Sequence, residues 1–448
     1  MVRQQRGEAG NVPGATVMEL YEKSIAIPRT RALNTFDEFS SAIEADLPEG
    51  HIPVRFVVTE TTADNYHCEI GVLEGGTLQS SLFQWRQRHS ANGTSFNVAH
   101  IIPTGIGCRT GGHVDGGATA RILSSVCDQL ITHPNVVNAA DINEMSENTL
   151  YVEGSILSRL MMGMVGVQPA KNNRVLVLAD RHTDEQLSNA LINSINAARA
   201  CYGFNCPEIV MMEDRIAMNA SLSDSGRAVG SIKDFDNFIN VLKDRKGQYD
   251  AVAVTTLIQV TDEVRRAYYT SDHMDDDKVN PWGGVEAMLT HTISMMFDVP
   301  TAHSPMEESE AVSCWDPGIT DPRLAAESVS VAYLQCILKG LQRSPKIITK
   351  EIIAPGVLTA RDVSALVTPV NALGLAVMAA LRQGIPVIAV RENSNIMKND
   401  LNDLPWAPGQ YHEVENYWEA AGFLSALKDG IDPYSVRRPL DPVRVTVV

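Results

Sequence analysis

Short apolar runs alternate with segments of helical spacing over the second half of the chain. The apolar runs lie at 174–180, 208–213, 251–256, 299–303, 365–369 and 386–390. Segments with helical spacing lie between them, at 184–200, around Val264, and at 284–297, 324–341 and 373–383. Runs without an exposed face are typical of parallel strands that are covered by helices on both sides. The pattern predicts a Rossmann-like three-layer α/β region with a mostly parallel sheet.

The first part of the chain has a different pattern. Two β-like runs, at 53–59 and 67–73, precede an apolar run at 98–104, a glycine-rich loop, a helical stretch at 118–128 and an apolar run at 129–132. This order predicts an N-terminal α+β region with a Gly-rich βαβ unit. The composition around Pro169 is typical of a linker. We therefore predict an α/β protein of two domains, 1–170 and 171–448.

The stretch from His100 to Glu153 is rich in residues that bind or transform small molecules. Six glycines fall between Gly105 and Gly117, and polar Thr, His, Asn, Asp and Glu side chains follow. Both loops of a βαβ unit leave the carboxyl ends of neighbouring parallel strands, where open α/β sheets bind ligands. The sequence therefore predicts a ligand site in this unit.

The glycine-rich loop can expose backbone N–H groups next to a helix start, which is a common way to bind phosphate or carboxylate. The predicted ligand-binding residues here are Thr104, Gly105, Gly107, Arg109, Gly111, Gly112 and Thr119. The alternative is that the glycines only permit tight turns. The spacing matches neither the dinucleotide motif nor the P-loop, so we expect no NAD or ATP site of those types.

The second loop supplies the predicted acid/base groups. His133 can act near neutral pH, with Asp141 or Glu144 as the orienting or second acid/base group. Asn135 and Asn138 can hydrogen-bond a carbonyl or carboxylate. The alternative for Asn138 and Asp141 is that they cap a helix beginning near Ile142.

Two further chemistries are weaker predictions. Cys108, beside Arg109, could be a nucleophile, although a small buried thiol is the commoner outcome. His100, His113 and Asp115 are the candidate ligands of a divalent metal, but their spacing matches no zinc motif and a metal is not favoured.

A second polar surface is predicted along the carboxyl edge of the C-terminal sheet. Polar residues follow several of its strands, among them Thr256, His303 and Thr368. In a parallel sheet these residues would gather on one edge. Ordinary loop composition is the alternative explanation.

The net charge and the hydropathy of the chain bear on nucleic-acid binding, membrane contact and cellular location. A net charge of −17 without a long basic run argues against nucleic acid. We find no apolar window of membrane-spanning length and no apolar leader, which predicts a cytoplasmic protein without membrane contact. A homo-oligomer is expected on base rates alone.

Three segments carry a resemblance to a known family. The strings HIIPTGIG, ITHPNVVNAADINEM and GIPVIAVREN resemble an uncharacterised bacterial and cyanobacterial family, a domain of unknown function (DUF3326-like), and the resemblance covers about residues 50 to 430. Cys108, Arg109 and His113 stand where the family would be expected to have smaller residues. The resemblance supplies no reaction.

The residues favour an enzyme that acts on a small anionic metabolite by acid/base chemistry. We expect a lyase or hydrolase rather than a transferase, because no phosphate loop with a lysine is present. A non-catalytic metabolite- or nucleotide-binding protein is the main alternative, and a scaffold protein is the least favoured.

Overall fold

The computed structural model of the protein describes residues 18–29, 36–89, 95–113, 115–270, 278–330 and 332–447. Its strands are β1 (Glu19–Pro28), β2 (His51–Thr61), β3 (Asn65–Glu74), β4 (Asn97–His100), β5 (Gln129–Thr132), β6 (Asn138–Ala139), β7 (Ile142–Asn143), β8 (Thr149–Tyr151), β9 (Gly166–Gln168), β10 (Val175–Asp180), β11 (Glu208–Met212), β12 (Ala217–Leu222), β13 (Ala228–Lys233), β14 (Ala251–Gln259), β15 (Thr301–Met306), β16 (Lys346–Ile348), β17 (Val363–Pro369), β18 (Leu373–Gly374), β19 (Val387–Val390) and β20 (Tyr411–Val414).

Helices connect and cover these strands. They are α1 (Phe36–Asp46), α2 (Gly117–Ser124), α3 (Pro134–Val137), α4 (Gly154–Met161), α5 (Glu185–Tyr202), α6 (Asp236–Asp244), α7 (Asp262–Thr270), α8 (Gly283–Phe297), α9 (Glu310–Ser313), α10 (Ala325–Ser328), α11 (Gln335–Gln342), α12 (Leu375–Gln383) and α13 (Tyr417–Lys428). The protein is therefore of the mixed α/β class, as predicted. Among the residues that the structure describes, no helix combines the length and apolar character needed to span a bilayer.

Two large sheets organise the described residues. One has six strands in the order β20-β19-β17-β4-β5-β8, and all of its pairings are parallel. The other has ten strands: β11-β10-β14-β12-β13-β1-β3-β2-β18, with β15 also paired to β14. Its β10, β11, β14 and β15 pairings are parallel, whereas β1, β2 and β3 form an antiparallel part.

Both faces of the parallel strands are buried. In β10, Val175 and Val177 face one apolar cluster and Leu176 and Leu178 face another. Neighbouring side chains in a strand point to opposite faces, so a strand buried on both sides must be apolar at every position. This explains why the apolar runs in the sequence located these strands.

The predicted βαβ unit is confirmed. Strand β4 leads through the glycine-rich loop and α2 to β5, and the two strands pair in parallel with His100 opposite Thr132. The boundary at residue 170 stays a prediction, and strand pairing crosses it in both large sheets. Examples are β4 with β17 and β1 with β13.

Two predicted helices were wrong. The segment 324–341 forms the short helix α10 and the separate helix α11, because Tyr333 has a φ of +47° that a right-handed helix cannot accommodate. No helix begins near Ile142 in the described chain. Residues 138–143 form the β6–β7 hairpin, whose turn places Ala140 at a φ of +47°.

Candidate functional site

A cavity of about 370 Å³ lies where elements of both sheets meet. Its wall is built by β2, the loop after β4, the start of α3, the start of α4, one face of α8, the end of β15, the segment around Tyr333, and the start of α12. Clefts and cavities of this size bind small molecules in many proteins. The cavity is therefore the place to test each predicted site residue.

The His100 to Glu153 stretch supplies part of this wall. Of its predicted site residues, the cavity is lined by Thr104, His133, Asn135 and Asn138. Glu153, the last residue of the stretch, lines it as well. The structure thus brings four predicted residues together around one space.

His133 is held as a neutral imidazole. Its Nε2 atom accepts a hydrogen bond from the backbone N–H of Ile102 at 3.1 Å, which places the ring proton on Nδ1. Burial lowers the pKa of His133 to about 4. The side chain thus fixes the loop after β4 as well as facing the cavity.

The two asparagines also brace the loops. Asn135 donates from Nδ2 to the carbonyl oxygens of Ile102 at 3.0 Å and Gly111 at 2.8 Å. Asn138 donates to the hydroxyl of Tyr151 at 2.8 Å. The helix cap considered for Asn138 is wrong, because no helix follows it.

The other predicted acid/base groups lie away from the cavity wall. Asp141 accepts hydrogen bonds from the Ser330 hydroxyl and, at 3.0 Å, from the backbone N–H of Gln335, the first residue of α11. It therefore caps a helix distant in sequence and not one at Ile142. Glu144 is exposed. Cys108 is fully buried, with its sulfur 3.7 Å from the carbonyl oxygen of Pro103.

The glycine-rich loop packs against itself and its neighbours. A Cβ atom on Gly112 would lie 2.0 Å from the Cys108 carbonyl oxygen. Gly111 has a φ of +75°, which favours glycine. In the part of the chain that the structure describes, the cavity wall does not include Gly105, Gly107, Gly111, Gly112, Arg109 or Thr119. Close packing explains Gly112, and a positive φ explains Gly105, Gly107 and Gly111, whereas contact of the loop with an anion stays a prediction.

The metal candidates have separate surroundings. His113 contacts the Tyr268 hydroxyl through Nδ1 at 3.0 Å, and Asp115 accepts from the Gly111 N–H at 2.6 Å. His100 is fully buried at the end of β4, beside the ring of Tyr417. Within the described ranges, no three His, Cys, Asp or Glu residues are grouped so that they could hold a metal ion.

A pair formed by a buried carboxyl and a partly buried imidazole was missed by the sequence analysis. Glu153 Oε1 lies 3.3 Å from His291 Nε2. The other oxygen, Oε2, accepts hydrogen bonds from the backbone N–H groups of Ser155 at 2.9 Å and Ile156 at 3.3 Å, and from the Ser155 hydroxyl. Glu153 is thus the N-cap of α4, which fixes its carboxyl group against α8.

Burial acts on both members of this pair. It raises the pKa of Glu153 to about 7, although the hydrogen bonds from Ser155 and Ile156 oppose the shift. It also lowers the pKa of His291 to about 3, aided by the charges of Arg55 and His133. Near neutral pH the imidazole is uncharged, and Glu153 can exist with or without its proton.

One face of α8 carries a second pair. Thr290 and His291 follow Glu286 by four and five positions. All three residues line the cavity. Glu286 Oε1 lies 2.9 Å from Nδ1 of His303, whose Nε2 is 2.8 Å from the Thr256 hydroxyl. His303 and Thr368 line the cavity, so part of the predicted carboxyl-edge surface belongs to this site.

Two arginines complete the wall near α8. Arg55 donates to the carbonyl oxygen of Gly284 at 3.1 Å and contacts Glu22 Oε1 at 3.3 Å. Arg227 bonds the other oxygen of Glu22 at 2.7 Å and Glu69 at 2.6 Å. Burial and the neighbouring Arg227 lower the pKa of Arg55 to about 10, so both guanidinium groups are charged at neutral pH.

A sequence signal for the α8 residues existed. The helix GGVEAMLTHTISMMF is mostly buried and apolar, yet Glu, Thr and His recur on one of its faces. Polar residues on a buried helix face need partners or a ligand. No comparable local signal marks Arg55 and Arg227, which reach the cavity from distant strands.

Comparison with known proteins assigns the chain to a family. The family model described as protein of unknown function (DUF3326) matches residues 97–437. The chain belongs to this family, which confirms the resemblance seen in the sequence. A protein of Synechococcus sp., named as an uncharacterized lipoprotein, is 31% identical over 343 residues, which cover 76% of this chain and 93% of that protein. No solved structure matches the chain.

Two sequence-based expectations are corrected by these findings. The cytoplasmic location is contradicted by the relative, because its name describes a lipoprotein. The lyase or hydrolase assignment is withdrawn as well, since both the family and the relative are described without any reaction.

Proposed function

We propose that the cavity is the active site of an enzyme that acts on a small anionic metabolite by proton transfer. Glu153 and His291 are the proposed acid/base pair. The observation that carries the proposal is their 3.3 Å contact at the wall of a partly open cavity. The anionic character of the metabolite is retained from the sequence-based prediction.

The pKa of Glu153 supports this role. An acid/base group works best when its pKa lies near the operating pH, and burial raises that of Glu153 to about 7. In its protonated form the carboxyl can donate to a ligand atom, and in its ionised form it can accept a proton. Carboxyl groups with such shifts occur often at functional sites, although structural networks produce them too.

His291 and His133 would assist as neutral groups. Burial keeps both imidazoles uncharged at neutral pH, so each can accept a hydrogen bond at one nitrogen and donate at the other. Their positions are fixed by α8 and by the Ile102 N–H. Preorganised groups of this kind position a ligand at little entropic cost.

The test is a comparison of native protein with Glu153→Gln and His291→Gln. Each protein is incubated with a small-metabolite extract in D2O, and the mixture is followed by mass spectrometry. We expect masses that change, or that gain deuterium, with the native protein and not with either variant. Glu185→Gln, which alters an exposed carboxyl on α5, is the matched control and should behave as native.

Two results would count against the proposal. Conversion that persists in both variants would remove Glu153 and His291 from the chemistry. A native protein that retains a metabolite without changing it would indicate the non-catalytic binding protein instead.

A further inference from the structure

We infer that Arg227 and Arg55 form the subsite that holds the anionic group of the ligand, and that this group is a carboxylate. The inference rests on the proposed function, since it places a ligand in the same cavity. It moves the predicted anion site from the glycine-rich loop to the wall beside α8.

Arg227 is the first observation. Its side chain is fully buried and lines the cavity. Nε and Nη2 are bonded to Glu69 and Glu22, but Nη1 has no hydrogen-bond partner among the described residues. A buried donor without a partner costs about 1–3 kcal/mol, and more when it is charged. Nη1 itself has almost no accessible surface, so a ligand oxygen would reach it, and remove that cost, through a small shift of the guanidinium group.

Arg55 is the second observation. It shares Glu22 with Arg227, so the two guanidinium groups are held against the same carboxylate. It also lines the cavity and is bonded to Gly284, the second residue of α8. The positive end of a helix of this length favours negative charge. Arginine N–H groups bind carboxylate and phosphate alike, but Glu22 and Glu69 offset the charge of the two arginines, so a singly charged carboxylate suits this wall better than a doubly charged phosphate.

The charges elsewhere in the cavity are compatible with an anion at this wall. Glu286 is paired with His303, and burial keeps Glu153 partly protonated near neutral pH. Glu327 has its pKa raised to about 8, chiefly by burial. Partial protonation of Glu153 and Glu327 therefore reduces their repulsion of an anion, and Glu22 and Glu69 are ion-paired with the two arginines.

The position of the subsite also selects the part of the ligand that reacts. Arg55 donates to the carbonyl oxygen of Gly284, and His291 lies seven residues further along α8, about 10 Å away by the rise of a helix. A carboxylate held by Arg55 and Arg227 would direct the rest of the ligand along α8 towards Glu153 and His291, which line the same cavity. The substrate class is thus a small carboxylic acid whose carboxyl group and reacting atoms both fit this cavity.

The experiment uses pairs of probes that have nearly the same size and shape, one charged and one uncharged. Glycolate and succinate are each titrated beside the uncharged amides glycolamide and succinamide, at fixed ionic strength. Binding is measured by calorimetry and by the shift in melting temperature. We expect both acids to bind and stabilise the native protein and the amides to bind at least tenfold more weakly. Equal binding of the amides, or no binding of either acid, would overturn the inference.

Variants locate the site on the protein. Arg227→Lys keeps a charge for Glu69 but removes Nη1, and we expect it to lower the affinity for the acids by tenfold or more. Arg181→Lys changes an exposed arginine paired with Glu213 and is the control. Unchanged affinity in Arg227→Lys would also overturn the inference. If Arg227→Lys does not fold, the affinity of Arg55→Lys for the acids and the native titrations of acids against amides still test the inference.

The two proposals fail in different ways. Binding of acids at Arg227 without any conversion would leave this subsite in place and overturn the acid/base function. If the native protein converts an uncharged metabolite and Glu153→Gln does not, the acid/base function would stand and the carboxylate subsite would be overturned.

Discussion

Glu153 Oε1 lies 3.3 Å from Nε2 of His291, and the two residues come from helices that are more than a hundred positions apart in sequence. The contact joins the N-terminus of α4 to the middle of α8. Glu153 is buried and His291 is only partly exposed, and desolvation favours the uncharged form of each. This relationship gives the site properties that can be measured without knowing the ligand.

The stability of the protein should depend on the ionisation of Glu153. Its pKa is raised from 4.5 to about 7, so the folded state holds this proton more tightly than the unfolded state does. The stabilisation is complete below pH 4.5 and is lost as the pH rises to about 7. Glu153→Gln removes this loss. We expect its free energy of unfolding, relative to native, to increase over that pH interval in urea titrations.

The matched control for this titration is Glu185→Gln, whose difference from native should not vary with pH. His291 acts in the opposite direction, because its pKa falls from 6.5 to about 3 and its contribution is lost as the pH falls. A flat difference between Glu153→Gln and native would show that the carboxyl is solvated in the folded protein.

Gly154→Ala should disturb the site without unfolding the protein. A Cβ atom at Gly154 would lie 2.9 Å from His291 Nε2, and the end of that side chain can move. We expect the displaced imidazole to reduce turnover about 10- to 100-fold, the effect of a misplacement near 1 Å. Turnover is measured with any metabolite that the native protein converts.

Gly117→Ala is the control for this change. Gly117 is the first residue of α2, as Gly154 is of α4, and a Cβ atom there has nothing within 4 Å. Native turnover in both variants would mean that the position of His291 is not critical.

Gly112→Ala should destabilise the fold itself. The new Cβ would lie 2.0 Å from the carbonyl oxygen of Cys108, and a backbone atom in a buried loop cannot easily move away. We expect a loss of several kcal/mol or a failure to fold, measured by thermal and urea unfolding. In contrast, Gly422→Ala in α13 meets nothing within 4 Å and should stabilise the protein by up to ~1 kcal/mol. If Gly112→Ala is as stable as the native protein, Gly112 does not lie close to the carbonyl oxygen of Cys108.

His133→Ala should cost stability through a single hydrogen bond. The substitution leaves the buried N–H of Ile102 without its acceptor, which costs about 1–3 kcal/mol. His133→Gln offers an amide oxygen near the position of Nε2 and should recover part of the loss. The free energy of unfolding in urea is the measurement. Equal losses in both variants would indicate that packing, not this bond, explains the role of His133.

The sequence by itself determined the parallel strands, most of the helices and the βαβ unit. It could do so because strands buried on both faces are apolar throughout, and because α8 and α5 carry local helical patterns. It also located one wall of the cavity, through His133, Asn135 and Asn138. Local composition is informative wherever a property depends on near neighbours in the chain.

Only the tertiary structure decided which polar groups meet. Glu153 and His291, like Arg227 and Glu22, approach one another through strand order and helix packing, which no local pattern encodes. The same holds for Asp141, which caps α11 across 194 positions and not a helix beside it. The glycines of the loop likewise needed the structure, since a turn and an anion cradle demand the same residue and differ only in what lies next to it.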